Sequence, residues 1–550
     1  MNIRKSLLVL GGLGVALAVG VPMDGLEYSS ENGWAMSTTV AIAAEDNRLT
    51  GRVTDGGGNG LAGSMVSAKD SHGIEITVFT GGDGRYSLTG LRAGEQTVTA
   101  KGPAWLSTVQ VVAIPMTDGD ALDFKLTANP IAGRGLSGAH WMGLLPDGDM
   151  KREFMINCVS CHETGYARVT KDGQARDESQ WAEAIALMRS TDVYGLTPPD
   201  FDDAAYAKWL AENLSATMIA QIRPRTPVSA DVSGARYTEY PVPASFSLPH
   251  DLVVGPDRRI WVTGFFNDVV WAYQPNTGSV QTYHVNATPD TLAQVRALKF
   301  DGNGDLWILN GGTSSIVKLN IKSGSYETYG ADMYAHSLDL DTKGNIWVND
   351  YFGKPERIGV VNAETGAVKT MNIPSANLTE ANGLPLPYGL QVDRMDRLWV
   401  TMLSANTLVR YDTRTGDAKL YQMPTPNSGP RRPGLGPDGI LWIPEFAAGK
   451  LAKFDPETES FTEYDLGSSA AGPYDVEVDQ KTGIVWVSGS NDSSIFRFDP
   501  ETESLTRYPW PTEPGFIRHI AVDEVTGDVW ATYSSYPPGT PKLVRLQPNG

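Results

Sequence analysis

Seven tryptophans, Trp261, Trp307, Trp347, Trp399, Trp442, Trp486 and Trp530, recur at separations of 46, 40, 52, 43, 44 and 44 residues. Each sits in the same local pattern: an apolar strand, an Asp/Gly turn, an apolar strand carrying the Trp, and a strand closing on Asp-Pro-x-Thr-Gly or a variant. A unit of ~45 residues with four strand signals is one supersecondary element that buries its faces only by stacking on its neighbours. Seven of them describe a seven-bladed β-propeller over residues 236–550. A segment like Thr238-Glu-Tyr-Pro-Val-Pro243 recurs at 281–286, 327–329, 369–374, 419–424, 462–466 and 506–511. Its first copy precedes blade one and none follows the last blade, so residues 237–242 are expected to complete blade seven and close the ring. The seven tryptophans read as packing between sheets.

Two smaller regions precede the propeller. Over 46–129, Val, Thr, Tyr and Phe alternate between Gly- and Asp-rich turns, as in a small β-sandwich. Gly51-Arg-Val-Thr-Asp55, Thr80-Gly-Gly-Asp-Gly-Arg-Tyr86 and Leu91 resemble carboxypeptidase regulatory-like domains, which implies a fold and no catalytic residue. Over 130–226 the pattern turns helical: Trp181, Ile185 and Met188 fall at i, i+4 and i+7, with Asp177 or Ser179 as cap, and a second stripe runs from Phe201 to Leu214. The fold class is therefore mainly β, with one small α-helical domain.

The chain opens with Arg4 and Lys5 and an apolar run from Leu7 to Val21, the layout of an export signal within 1–44. Cleavage after Ala41-Ile-Ala43, cleavage nearer Val21 and retention as an anchor all stay open. No later segment is apolar enough to cross a bilayer, so the mature chain is expected to be soluble and periplasmic or otherwise exported. A net charge of -19 and a pI near 4.8 exclude a basic nucleic-acid-binding face and suit a basic protein partner.

Only two cysteines occur in 550 residues, in Cys158-Val-Ser-Cys161-His162. They are too few for a disulfide scaffold, a four-cysteine zinc site or an all-cysteine iron–sulfur cluster. Cys-x-x-Cys-His is the attachment motif of c-type haem: Cys158 and Cys161 would form the two thioethers and His162 an axial bond to iron. Residues 130–226 resemble small cytochrome c domains, in which this motif is followed by a Trp-containing helix ending in Met and then a Tyr/Trp-Leu helix, here Tyr206-Ala-Lys-Trp-Leu210. That resemblance implies Met188 as the second axial ligand, with Met218 or an open position as alternatives.

The propeller resembles the virginiamycin B lyase (streptogramin lyase) family at 238–243, at Pro249-His-Asp-Leu-Val-Val-Gly-Pro-Asp257 and at Leu441-Trp-Ile-Pro-Glu-Phe446. Eleven residues before the repeat Trp stand His250, Arg296, His336, Tyr388 and Arg431, and twelve before it, in the two blades with one extra turn residue, Tyr474 and Arg518. This position opens the innermost strand, so all seven are expected at one mouth of the channel. Three residues after the Trp stand Gly264, Asn310, Asp350, Met402, Glu445, Gly489 and Tyr533, expected near the same ring. The lyase resemblance implies ring-position histidines in two neighbouring blades near the end of the domain, and a glutamate holding magnesium. Tyr474, Arg518 and Tyr533 stand there instead; blade three alone pairs a ring histidine with a carboxylate, His336 with Asp350, and blade five sets Glu445 opposite Arg431.

Three functions follow. The first is an exported haem c oxidoreductase, with a small anionic substrate or second cofactor at the arginine-rich mouth, His250 and His336 as acid/base groups, and electrons leaving through the haem to a redox protein partner. The second is a non-enzymatic electron-transfer protein with the propeller and sandwich as docking surfaces. The third is a magnesium-dependent streptogramin lyase. No adjacent cysteine pair or other pattern supports pyrroloquinoline quinone.

Overall fold

In the computed structural model, each propeller turn is organised by an aspartate. Asp301 Oδ1 accepts the backbone N–H groups of Asn303 and Asp305 at 2.9 and 3.0 Å, while its Oδ2 accepts the indole N–H of Trp307 at 3.0 Å. Asp341 does the same for Lys343, Asn345 and Trp347, and Asp393 for Met395, Arg397 and Trp399. One carboxylate thus folds the turn and orients the tryptophan, an extension of the usual Asx turn. The structure describes residues 38–39, 47–102, 104–116, 121–129, 135–160, 162–191, 201–222, 232–244, 247–285, 292–373, 385–512, 515–534 and 541–548. The export segment, apart from Thr38–Thr39, lies outside the described residues, as does Cys161. No helix among the described residues is long and apolar enough to cross a membrane.

The repeat tryptophans pack between blades. Trp261 is buried among Val295, Leu298 and Leu306 of the following blade, Trp307 among Ala335, Leu338 and Ile346, and Trp530 among Leu252 and Ile260 of blade one. Six blades are separate antiparallel sheets whose innermost strands begin at Pro249, Val295, Ala335, Pro387, Gly434 and Pro473. Blade seven consists of Phe516–Val522, Val529–Ser534 and Lys542–Gln547, completed by Arg236–Pro241 in the register Arg236↔Gln547 to Pro241↔Lys542.

The same Arg236–Pro241 strand has a second neighbour. The sandwich consists of β1 (Asn47–Thr54), β2 (Met65–Lys69), β3 (Glu75–Phe79), β4 (Arg85–Leu91), β5 (Gly94–Gly102), β6 (Trp105–Ile114) and β7 (Phe124–Lys125). Its apolar interior includes Leu49, Val53, Val66, Val78, Tyr86, Leu88, Val98 and Phe124. Strand β3 pairs antiparallel with Arg236–Pro241, from Arg236↔Val78 to Glu239↔Glu75, so blade seven and one sandwich sheet form a continuous eight-stranded sheet. The register sets two glutamates side by side, a repulsive cross-strand pair. Lys542 Nζ resolves it by bonding both, Glu239 at 2.9 Å and Glu75 at 3.2 Å.

The helical unit consists of α1 (Gly138–Met142), α2 (Asp149–Cys158), α3 (Tyr166–Val169), α4 (Glu178–Thr191), α5 (Asp203–Asn213) and α6 (Ala216–Ile219). Asp177 caps α4 by accepting from Gln180 N at 2.8 Å, and Gln180 Oε1 accepts back from Asp177 N at 3.2 Å, a reciprocal box. Asp202 caps α5 through Ala205 N. Helix α2 crosses α5 through Phe154, stacked on Tyr206 at 6.3 Å and edge-on to Trp209 at 6.1 Å. On the expected α4 stripe Trp181 and Ile185 are buried, while Met188 is 43% exposed.

Because Trp307 is almost wholly buried at a blade interface, Trp307→Ala should destabilise the propeller by about 3–5 kcal/mol, read as a lowered denaturant midpoint at unchanged slope.

Candidate functional site

The innermost strands share a defect that builds the channel mouth. Each pairs at or beside its first residue and then slips register, between Pro249 and Leu252, Val295 and Leu298, Ala335 and Leu338, Pro387 and Leu390, Pro473 and Val476, and Ile517 and His519. In blade five, Pro430 bridges Glu445 and regular pairing resumes only at Gly434. A bulge of this kind re-aims side chains out of the ladder. The residues released are the ring residues and, except in blade seven where His519 pairs with Thr532, the ones directly after them.

The ring residues are all buried and their contacts run round the opening. Arg296 lies over the Phe265 ring at 5.1 Å and His250 stacks on Phe265 at 5.7 Å. His336 is 4.1 Å from Tyr388, whose hydroxyl bonds that of Tyr474. Arg431 is wedged over Phe446 at 3.8 Å and Tyr474 at 4.2 Å, and its Nη1 donates to the Tyr388 hydroxyl at 3.2 Å. Arg518 lies over Phe516 at 4.7 Å, and Phe516 meets Tyr474 at 5.8 Å. Burial pushes the His250 imidazole down to about 3 although Asp251 opposes it, and burial with Arg296 and Arg432 holds His336 well below its ordinary value. Both rings are therefore neutral near pH 7.

The second expected set stands elsewhere. Asp350 accepts both Nε and Nη2 of Arg357 and the backbone N–H of Tyr334. Glu445 is buried near Glu463 and Lys450; Met402 packs in the core between blades three and four; Tyr533 donates to Glu239 at 2.7 Å. Pleat explains this. Asp350 pairs with Ala335 and Met402 with Pro387, the residues just before the ring positions, and neighbours along a strand face opposite ways.

The residues after the ring positions, absent from the sequence expectations, form a charged network across the channel. Arg432 of blade five donates from Nη1 to Asp251 Oδ2 of blade one at 2.7 Å, and His250 Nδ1 lies 2.5 Å from Asp251 Oδ1. His519 of blade seven lies 4.0 Å from Asp251 and 3.9 Å from Asp475 of blade six. Burial opposes ionisation of Asp251, but Arg432, His519 and His250 outweigh it and hold the carboxyl well below its usual range. Asp475, mainly through burial, is pushed up to about 6. The visible signal was a second polar residue after the ring residue: His250-Asp251, Arg431-Arg432, Tyr474-Asp475 and Arg518-His519. Among the described residues no group of three or more His, Cys, Asp or Glu side chains is arranged to hold a metal ion, so magnesium has no ready ligand set there.

The helical unit sits on this mouth. Tyr388, Tyr474, Phe446 and Phe516 share one apolar cluster with Trp141, Phe154, Met155 and Val159. Arg431 Nη2 donates to Ser160 Oγ at 2.8 Å, Ala139 N to Asn491 O at 2.7 Å and Thr164 N to Asn491 Oδ1 at 3.3 Å, while Lys151 and Asp147 both bond Ser469. Ser160 lies between the two cysteines, so the Cys-x-x-Cys-His segment is bonded directly to the ring.

The described part of that motif suits a c-type haem. Cys158 is partly exposed at the C-terminus of α2. His162 Nδ1 lies 3.1 Å from the Glu163 carbonyl, an arrangement that holds the proton on Nδ1 and leaves the Nε2 lone pair for a metal. Burial, with Arg168 and the ring residue Arg518, pushes His162 down to about 4, so the imidazole is neutral. Met188 lies near the end of α4 and Met218, half-buried, in α6.

The virginiamycin B lyase family matches residues 235–536, and the carboxypeptidase regulatory-like domain residues 48–127. A streptogramin B lyase structure is 23% identical, covering 57% of this chain and 97% of its own, with a TM-score of 0.50. A catalytically inactive virginiamycin B lyase variant from Staphylococcus aureus with quinupristin is 19% identical, covering 57% of this chain and 99% of its own, also with a TM-score of 0.50. These likenesses establish the propeller fold. No curated protein matches the chain.

Glu445 yields a pH-dependent prediction. Burial, with Glu463 beside it, pushes its carboxyl up from the ordinary 4.5 to about 8. The folded state then holds a proton that the unfolded state has lost, so stability falls as pH rises from about 4.5 and the penalty is complete above about 8. Glu445→Gln removes it, and the melting-temperature advantage of this variant over the wild type should grow between pH 5 and pH 8 and then level off, for a gain on the order of a few kcal/mol.

Proposed function

The chain belongs to the virginiamycin B lyase family, and on that premise we propose that this member uses its propeller mouth to seat a c-type haem unit and serves as an exported electron-transfer protein. The observation that supports the reading is the bond from Arg431 to Ser160, which fastens the Cys-x-x-Cys-His segment to the ring. Cys158 and Cys161 would hold the macrocycle, and His162, with Met188 or else Met218, would ligate its iron. When bound, the haem supplies one-electron transfer. The protein residues have separate tasks: the Glu163 carbonyl holds the His162 proton on Nδ1, and Trp141, Phe154 and Phe446, buried in one apolar cluster, would keep water from the group. Ring residues buried under the helical unit support a docking surface over an open substrate pocket; Arg431 is only 1% exposed. The net charge of -19 favours a basic protein as electron donor or acceptor.

The lyase reading rests on one specific observation, His519 placed between Asp251 and Asp475, which together offer acid and base groups in the last two blades and blade one. Those groups lie next to ring residues already covered, and the magnesium ligand set is missing among the described residues.

Chain expressed with export and haem maturation should carry covalent haem, visible by peroxidase staining of a denaturing gel and as a reduced absorbance band, and Cys158→Ser with Cys161→Ser should abolish both. An unstained wild-type band would overturn the reading. Incubation with quinupristin and magnesium should leave the compound intact; ring opening that is lost in His519→Ala would restore the lyase assignment.

A further inference from the structure

Arg431 is a buried cation that no carboxylate among the described residues balances. It is 1% exposed, and its contacts are the Tyr388 hydroxyl, Ser160 Oγ and the rings of Phe446, Tyr474 and Tyr388. Among the described residues it has no carboxylate within ion-pair distance. Its neighbour Arg432, by contrast, is paired with Asp251 at 2.7 Å. Guanidinium stays protonated at any ordinary pH, and taking it out of water unpaired costs several kcal/mol, so an unbalanced arginine held this firmly needs a reason.

The place of the charge suggests one. Ser160 is flanked by Cys158 and Cys161, so a group bonded to it stands beside whatever those cysteines carry. A second ring cation, Arg518, lies 4.7 Å over the ring of Phe516, which shares an apolar cluster with Phe154 and Val159 of the helical unit. The carboxyl on the same segment, Glu163, is buried 3.9 Å from Arg168 of its own unit, so the helical unit already supplies a cation for it.

Resting on the haem reading above, we propose that the propeller sets the reduction potential of the haem, with Arg431 as the main positioning residue and Arg518 as the second. Oxidised haem carries one more positive charge than reduced haem. A fixed cation beside it in a poorly screened interior therefore disfavours the oxidised form and raises the potential. The propeller mouth here acts as an electrostatic bias on a neighbouring redox centre.

The experiment is a potentiometric titration of the full chain loaded with haem, wild type against Arg431→Gln, Arg431→Lys and Arg518→Gln, at fixed ionic strength. Arg431→Gln should have a lower midpoint potential, Arg431→Lys should stay close to the wild type because the charge is kept while the forked hydrogen bonding is lost, and Arg518→Gln should fall by a smaller amount. A midpoint unchanged in Arg431→Gln, or equally lowered in Arg431→Lys, overturns the inference, because the charge is then not the cause. If Arg431→Gln does not fold, Arg518→Gln decides alone, and an unshifted midpoint there overturns it. A wild-type chain with no covalent haem overturns the earlier reading instead, and the staining gel separates the two failures before any titration begins.

Discussion

Everything in this molecule depends on how a ring of sheets is closed, and one six-residue strand does it. Arg236–Pro241 completes blade seven by pairing with Lys542–Gln547, and on its other edge it pairs with the sandwich strand β3. The sandwich strand thereby covers the outer edge that blade seven would otherwise expose. The sandwich is therefore fastened by backbone hydrogen bonds to the strand that closes the ring, and Lys542 holds the seam by bonding glutamates on both sides. Loss of the closing strand would open the propeller and remove the backbone pairing that fastens the sandwich to it.

Closure also fixes the mouth. With seven inner strands arranged about one axis, an irregularity near the start of each frees the ring residue from the ladder and, in most blades, the residue after it. The first of each pair makes the aromatic and arginine ring; the second makes the network of Asp251, Arg432, His519 and Asp475. The helical unit then covers the ring, with Phe154, Met155 and Val159 packed in one cluster with Tyr388, Phe446 and Tyr474. In the virginiamycin B lyase family the comparable mouth belongs to a lyase by name; in this member it meets a second unit of the same chain.

Much of the fold could be read from local signals. The Asp turn and its tryptophan repeat seven times, and in the first four blades the turn aspartate accepts the indole N–H and so orients Trp261, Trp307, Trp347 and Trp399 between blades. The caps of α4 and α5 are formed by Asp177 and Asp202, residues next to their helices in the chain. The ring positions were legible because a fixed offset from the tryptophan tracks a fixed height on the blade. The offset on the other side of the tryptophan marked the right height and the wrong face, since Asp350 and Met402 pair with residues one short of the ring.

Periodicity and turn chemistry act over a few residues, so the amino-acid sequence alone determined that there are seven blades, a sandwich, a helical unit and a Cys-x-x-Cys-His segment. Three matters were decided only by the tertiary structure: the bulge that brings Asp251, Arg432, Asp475 and His519 together, the strand shared by sandwich and propeller, and the seating of Ser160 on Arg431. Each joins residues far apart in the chain, 271 positions in the case of Ser160 and Arg431. Contacts of that kind are set by how finished surfaces fit against one another, and no local pattern encodes the fit.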